Sequence, residues 1–354
     1  MALNASGAIS LAGPTTGQSI ELELGGDGTT QISFNDSNVR SLLGISSGAI
    51  SLFSAYGKSN GIDYAVYGPG YTGYSPFYNT NTNRYTYSTN TQVNATSFTA
   101  ARGYTASTSS QIAGIWGGGY NSGYFSSTVK YTYSGDTVGS GGSLAAGRSY
   151  FSASGSTTTG YFAGGFQGSY PGYSGVDKYT FSSDSVAAGT ALPGGKSYSG
   201  SIGNASVGYY VGGYTSSGGG LTSSIYKYQY SDDTTSSATS LTTAASNQAG
   251  TGYSSVGLIV MGYTGTYNYN TIKYTYSAES MAAGTNLALT YGSSAMAATS
   301  GTSQAGYVCA FRGTANQHVK YVYSNDTSSA VATLTAQGFG SSGFSSCGSA
   351  PNGL

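Results

Sequence analysis

From residue 84 onward the chain keeps returning to a short run in which aromatic and polar side chains alternate. Lys130-Tyr131-Thr132-Tyr133-Ser134 is the clearest copy. A period of two puts both tyrosines on one face of a half-buried strand. The run recurs as Arg84-Tyr85-Thr86-Tyr87-Ser88, Lys178-Tyr179-Thr180-Phe181-Ser182, Lys227-Tyr228-Gln229-Tyr230-Ser231, Lys273-Tyr274-Thr275-Tyr276-Ser277 and Lys320-Tyr321-Val322-Tyr323-Ser324. Successive copies begin 46, 48, 49, 46 and 47 residues apart. So regular a step defines a repeat array.

One full repeat shows what surrounds the run. Arg102-Gly103-Tyr104 opens a strand of small residues, and an apolar strand follows, ending Ile115-Trp116-Gly117-Gly118. A variable loop precedes the aromatic third strand. Gly135-Asp136-Thr137 then turns the chain into a fourth strand ending near Leu144. The turns Ser134–Thr137, Ser182–Ser185, Ser231–Thr234 and Ser324–Thr327 share an Asp, whose side chain suits a tight turn by bonding nearby amides. Four strands in so short a repeat predict a propeller blade, and six copies predict six blades.

The first copy lacks a first strand, because Ile62-Asp63-Tyr64-Ala65-Val66-Tyr67 matches second strands. The missing piece sits at the other end, where Gln337-Gly338-Phe339 aligns with Arg102-Gly103-Tyr104. A C-terminal strand is therefore expected to complete the first blade and close the ring, leaving no unpaired edge between first and last blades. In an antiparallel blade the loop from strand two to strand three lies at the opposite end from the start of strand two. Whatever precedes residue 61 should then hang on the far side from those loops.

Residues 1–60 do not share the period. Ser6-Gly7-Ala8-Ile9-Ser10-Leu11 returns as Ser47-Gly48-Ala49-Ile50-Ser51-Leu52. Alternation in Ser19-Ile20-Glu21-Leu22-Glu23-Leu24 predicts a half-buried strand, Gly25-Gly26-Asp27-Gly28 a turn, and Gln31–Phe34 a second strand. Asn35-Asp36 offers an N-cap for a short helix through Val39 and Leu42-Leu43, stopped by Gly44. The expected architecture is all-β: a small β-rich module over 1–60, then a six-bladed propeller over 61–354.

The Gly-Gly step after strand two recurs at Gly164-Gly165 and Gly212-Gly213. With a small-residue first strand and an aromatic third, residues 61–349 resemble kelch repeats. They depart from that pattern in lacking a fourth-strand Trp, since Trp116 lies on a second strand. Residues 1–60 resemble N-terminal modules of bacteriophage structural proteins, particularly those of cyanobacterial phages. The likeness lies in the paired Ser-Gly-Ala-Ile-Ser-Leu runs, in Ile32-Ser33-Phe34-Asn35-Asp36 through Val39-Arg40, and in Tyr56-Gly57-Lys58-Ser59. It implies a virion protein of tail-fibre or baseplate type, made in the host cytoplasm, with this module bound to other virion proteins.

Composition sharpens some of this. Gly numbers 57 and Tyr 35, and charged residues are 7%, yet aromatics reach 14% and recur in phase, which suits a folded β-protein. Twelve basic residues balance twelve acidic ones, so electrostatic capture of nucleic acid has no footprint. No apolar run approaches a bilayer span, so membrane insertion is not expected. The N-terminus lacks the basic start and apolar stretch of a secretory signal. Cys309 and Cys347 are read as small buried residues, with a bridge between them left open.

Candidate chemistry lies in the loops between strands two and three, which differ from blade to blade. They carry Tyr71, Tyr74, Phe77 and Tyr78; Tyr120, Tyr124 and Phe125; Phe166, Tyr170 and Tyr173; Tyr214; Tyr263, Tyr267 and Tyr269; and Arg312, Asn316, Gln317 and His318. Tyr among Ser, Gly and Asn makes an adaptable binding surface. Flat rings stack on sugars while polar neighbours bond hydroxyls; the alternative is that the rings fold over the blade tops as packing. A single His supports no hydrolytic triad, no His/Cys/Asp cluster has metal spacing, and no cofactor is implied. Asp63 and Asp177 stand outside the turn position and are the first carboxylates to test for glycoside chemistry. The expected function is that of an oligomeric receptor-binding virion protein, touching host-surface polysaccharide or protein without enzymatic chemistry. The alternatives are a purely structural decoration or spacer, and a polysaccharide-degrading enzyme.

Overall fold

The computed structural model describes residues 19–25, 32–34, 36–43, 64–70, 78–169, 172–215, 220–289, 297–302, 304–312, 315–332 and 346–348. The chain divides into two compact units, Met1–Ile62 and Asp63–Leu354.

In the first unit the alternation of residues 19–24 makes a helical turn, not the expected strand. α1 spans Ile20–Glu23, and the Ser19 side chain accepts the Leu22 amide. Ile20 and Leu24 are four apart and so share a helical face. They pack with Val39, Leu42, Leu43, Ile32 and Phe34. Glu21 and Glu23 are buried while Leu22 is half-buried, the reverse of the strand pattern. The second expected strand is likewise absent at 32–34, where Ser33 donates its amide to Asp36 Oδ2 at 2.7 Å as the chain turns. The helix follows where expected: α2, Ser37–Leu43, begins after Asp36, whose carbonyl accepts the Arg40 amide at 2.9 Å.

Among its described residues the second unit holds twenty-four strands in chain order. Blade one takes β1 (Tyr64–Tyr67), β2 (Thr82–Thr86) and β3 (Thr91–Ala95). Blade two is β4 (Ala106–Ser109), β5 (Ala113–Gly117), β6 (Thr128–Thr132) and β7 (Thr137–Ser140). Blade three is β8 (Ser152–Gly155), β9 (Thr159–Ala163), β10 (Val176–Thr180) and β11 (Ser185–Gly189). Blade four is β12 (Gly200–Gly203), β13 (Val207–Val211), β14 (Ile225–Gln229) and β15 (Thr234–Ala238). Blade five is β16 (Ala249–Gly252), β17 (Val256–Val260), β18 (Thr271–Thr275) and β19 (Ser280–Gly284). Blade six is β20 (Ala297–Gly301), β21 (Ala305–Arg312), β22 (Ala315–Val322) and β23 (Thr327–Ala330). The last strand, β24 (Ser346–Gly348), pairs antiparallel with β1 and completes blade one as the sequence predicted. Each first strand touches the next, from β4 through β8, β12, β16 and β20 to β24 and back to β4. The ring is closed.

The third strand is the ruler of this fold. Its first tyrosines, Tyr85, Tyr131, Tyr179, Tyr228, Tyr274 and Tyr321, are fully buried. They fill the seams between blades. Tyr179 and Phe181 of blade three pack with Ile115 of blade two, and Tyr274 and Tyr276 of blade five with Tyr209 of blade four. The expectation that these rings are structural holds.

The Gly-Gly step joins one blade to the next. Gly118 and Gly119 have φ of +57° and +101°, a region L side chains rarely adopt. A Cβ on Gly118 would stand 2.5 Å from the Arg148 carbonyl oxygen. That closeness lets the Gly119 amide donate to Arg148 O at 2.9 Å; Gly165 repeats the bond to Lys196 O and Gly213 to Ala245 O.

Candidate functional site

The end of the ring that carries the strand two-to-three loops also carries the starts of the innermost strands. Three repeats open there with a basic residue, a small residue and a tyrosine: Arg102-Gly103-Tyr104, Arg148-Ser149-Tyr150 and Lys196-Ser197-Tyr198. The basic residues are buried struts. Arg102 donates to the carbonyls of Gly118 and Ser127, both at 3.1 Å, with its guanidinium over the Phe125 ring. Arg148 pairs with Asp177 at 2.7 Å, and both side chains are essentially inaccessible. Lys196 donates to Ser224 O at 3.0 Å and to Tyr210 O at 3.3 Å, with its ammonium 3.9 Å from the Tyr226 ring centre. Burial lowers the Lys196 pKa to about 7.

The tyrosines of these triplets form a stack. Tyr104, Tyr150 and Tyr198 have φ of +60°, +53° and +55°, a conformation costing on the order of 1 kcal/mol or more for a non-glycine residue. Backbone bonds hold them there. Tyr150 donates to Tyr104 O at 3.1 Å, Tyr198 to Tyr150 O at 2.7 Å, and Asn247 to Tyr198 O at 2.7 Å. The Tyr104 and Tyr150 rings stack at 4.1 Å, and Tyr150 and Tyr198 at 3.9 Å. Burial, then the neighbouring phenols, pushes the Tyr150 hydroxyl far above its usual pKa, so it stays a neutral donor.

Loop rings extend this stack at both ends. Phe166 meets Tyr124 at 6.0 Å, Tyr124 meets Tyr120 at 5.1 Å, and Tyr120 meets Tyr78 at 6.3 Å. Tyr78 meets Tyr104 at 6.2 Å, and beyond the stack Tyr198 meets Tyr214 at 5.4 Å. Eight rings thus run continuously across blades one to four. Tyr263 and Tyr267 form a further pair at 5.0 Å on blade five. Tyr124 and Tyr267 are the exposed members, at 36% and 41%.

The predicted loop residues divide accordingly. Tyr120, Tyr124 and Tyr214 join the track, and Tyr267 stands beside it. Tyr173 is half-buried, with Arg148 5.0 Å over its ring, and Tyr269 packs against the core of the blade five to six seam. Tyr71, Tyr74, Phe77 and Tyr170 lie outside the described residues, as do Asp63 and the side chains of Arg312 and Asn316. His318, expected on a loop, sits inside β22 and is buried. Its Nδ1 donates to Ala332 O at 3.2 Å, which leaves Nε2 to accept from the Tyr67 hydroxyl at 3.0 Å. Burial lowers its pKa to about 4, so it is a neutral packing residue and not a surface ligand contact. Asp177, expected as a carboxylate to test, is committed to Arg148 and to the Ala145 amide. Cys309 is a buried free thiol. Among the described residues no group of three or more His, Cys, Asp and Glu is placed to hold a metal ion.

In the sequence Tyr104 belongs to the triplet that opens a first strand, and none of Tyr104, Tyr150 and Tyr198 is given a role there. The available signal was their position: a tyrosine immediately before every innermost strand of blades two to four must lie at the mouth of the ring.

Six four-stranded blades in a closed ring make this chain a six-bladed β-propeller. Among solved structures it is similar to one titled "Structure of YjhT", with a TM-score of 0.59 and 9% sequence identity over 71% of this chain and 91% of that one. At that identity the likeness shows the fold alone. No family model matches the sequence, and no curated protein matches it.

Proposed function

We propose that this chain is a phage virion protein of tail-fibre or baseplate type. Residues 1–60 dock it to neighbouring virion proteins, and the upper loops of the propeller contact glycans on the host surface. The docking half rests on the resemblance of residues 1–60 to phage modules. The binding half rests on one observation, the continuous aromatic track from Phe166 to Tyr214 on the loop end.

The track suits sugar for physical reasons. Its inner rings are fixed by backbone bonds, so little order is lost on binding. Its ring Tyr124, and Tyr267 beside the track, offer exposed apolar area next in sequence to Asn121, Ser122, Thr266 and Asn268, polar residues of the kind that bond sugar hydroxyls. Each contact is weak, and many copies on one particle make adhesion from avidity.

The test displays the full chain on beads at high valency and measures adherence to intact host cells. Wild-type beads are expected to adhere and to be displaced by soluble host polysaccharide. Tyr124→Ser with Tyr267→Ser, both exposed, should reduce adherence several-fold at unchanged melting temperature. Failure of the wild-type beads to adhere sinks the glycan reading. A particle reconstruction with these loops buried against other virion proteins would replace it with a spacer role.

A further inference from the structure

The seams between blades follow one plan, and one of them contains a hole. In blades three, four and six the strand-two residue opposite the third-strand lysine is a tyrosine: Tyr161 faces Lys178, Tyr209 faces Lys227 and Tyr307 faces Lys320. Each ring lies against the second aromatic of the next blade's third strand. Tyr161 is 4.2 Å from Tyr230, Tyr209 is 5.5 Å from Tyr276, and Tyr307 is 4.6 Å from Tyr87.

In blade five the same position, opposite Lys273, is Leu258. A cavity of about 260 Å³ opens there, walled by Leu258, Val256, Lys273, Tyr321 and Tyr323, with Tyr253 at its edge. The other two seams also lack this tyrosine but are built otherwise. Tyr64 of blade one sets its ring edge-on to Tyr133 at 5.8 Å, and Ile115 of blade two meets Phe181, which has no hydroxyl.

Tyr253 is a second, independent feature. It stands on the turn between β16 and β17, where the corresponding residues of blades three, four and six are Ser156, Asn204 and Thr302. Its ring is 4.8 Å from that of Tyr323, the spacing a strand-borne tyrosine keeps at the other seams. A half-buried side chain on a turn thus covers part of the space that strand two leaves empty.

We propose that the cavity between blades five and six binds a tyrosine-like phenol ring, with Tyr253 as its lid. The wall formed by Tyr321 and Tyr323 is of the kind that already accepts a tyrosine at three seams of the same molecule. The hydroxyl has a polar neighbour as well: Lys273 lines the cavity, its ammonium held at 2.7 Å from Asp326. The volume is below that of drug-sized sites and suits a single ring. A free phenol and a tyrosine on another polypeptide share this chemistry. The cavity lies toward the strand one-to-two and three-to-four turns, away from the aromatic track, so it stands or falls apart from the glycan reading.

The experiment titrates p-cresol into the full-length protein by calorimetry and places it by crystal soaking. Wild type should bind it, and Tyr253→Ser should bind it about tenfold more tightly. Leu258→Tyr, which supplies the missing ring, should lose binding and raise the melting temperature; Leu258→Phe is the second filler should that variant fail to fold. Toluene, without the hydroxyl, should bind about tenfold more weakly than p-cresol. Binding of N-acetyltyrosinamide as tight as that of p-cresol assigns the ring to a polypeptide, and its exclusion assigns it to a free phenol. No binding to either wild type or Tyr253→Ser overturns the proposal, as does undiminished binding to both filled variants.

Discussion

Lys130 Nζ stands 2.8 Å from Asp184 Oδ2, reaching from the third strand of blade two to the turn of blade three. The same bridge crosses three further seams, in Lys178 to Asp233, Lys227 to Glu279 and Lys273 to Asp326, each at 2.7 Å. The acid also serves its own blade, as Tyr179 donates to Asp184 at 2.7 Å. In two of these turns it takes a backbone amide of the preceding blade too, from Thr190 to Asp233 and from Thr285 to Asp326. The residue has positive φ throughout, from Asp136 at +47° through Asp184, Asp233, Glu279 and Asp326. One side chain thus shapes a turn and fastens two blades, and in four of these five repeats it also accepts from a buried tyrosine, the exception being blade five, where the Tyr274 hydroxyl has no partner among the described residues.

Removing that acid should loosen a seam. Asp184→Ala leaves the Tyr179 hydroxyl without its acceptor and loses a half-exposed ion pair, a cost of about 1–3 kcal/mol. Asp184→Asn keeps an acceptor and tolerates the positive φ, so it should cost under about 1 kcal/mol. Burial alone would raise the Asp184 pKa, but hydrogen bonds from Lys130 and Tyr179 outweigh it and hold the carboxyl below its ordinary 3.8. The contribution is therefore full above pH 3.8 and lost as pH falls through the lower folded value. Urea unfolding of both variants at neutral and acid pH checks this. Equal loss for Ala and Asn would contradict it.

The seam where the ring closes lacks the charge. Its turn residue is Asn90, at φ +53°, accepting from the Tyr85 hydroxyl at 2.6 Å and the Ala332 amide at 2.9 Å. Lys320, the repeat's lysine in blade six, has no acid at the matching place. Asn90→Asp should complete the pattern and add up to about 1 kcal/mol at low ionic strength, vanishing in molar salt. Melting temperatures at low and high salt measure it. A gain that survives high salt would rule out the ion pair as its source.

How far these devices could be read from residues alone depends on their reach. The third-strand period was legible because one strand repeats its alternation six times, and it led to the blades, the count and the closing strand. Asp184 was legible as a turn residue, but its grip on Lys130 was not, because the partners are fifty-four positions apart and meet only when blades pack. No role for Tyr104, Tyr150 and Tyr198 was legible, since positive φ and ring stacking leave no trace in composition. Residues 19–24 failed for a local reason: an alternating six-residue run also places Ile20 and Leu24 on one helical face, and the packing with Val39 and Leu42 decided between them.

Asp177 offers a clean separation of structure from chemistry. Asp177→Ala strands the Arg148 guanidinium, which is 0% accessible, as an unpaired buried charge. The expected loss is about 3–5 kcal/mol. Arg148→Met combined with Asp177→Leu should recover much of it, because an apolar pair carries no desolvation cost. The urea midpoint of the three variants is the measurement. A catalytic carboxylate would behave differently, leaving stability near wild type while abolishing release of reducing ends from host polymer.

Lys196 makes stability depend on pH in a window where few other groups titrate. Its folded pKa is about 7 against an ordinary 10.5, because burial penalises the ammonium. Between those values the unfolded chain holds a proton that the folded chain has released, so stability rises with pH; below about 7 both states are protonated and the full penalty remains. The penalty is on the order of a few kcal/mol. Buried tyrosines such as Tyr161 have raised pKa values, and stability begins to fall again as unfolded phenols ionise near 10.0, so the slope is read between neutrality and about pH 9. Lys196→Met should flatten that slope, at the expense of the hydrogen bonds to Tyr210 O and Ser224 O. Lys196→Arg, charged throughout, should also be flat but less stable than Met. Unfolding free energies across the window decide the matter, and a slope that persists in Lys196→Met would place the titrating group elsewhere.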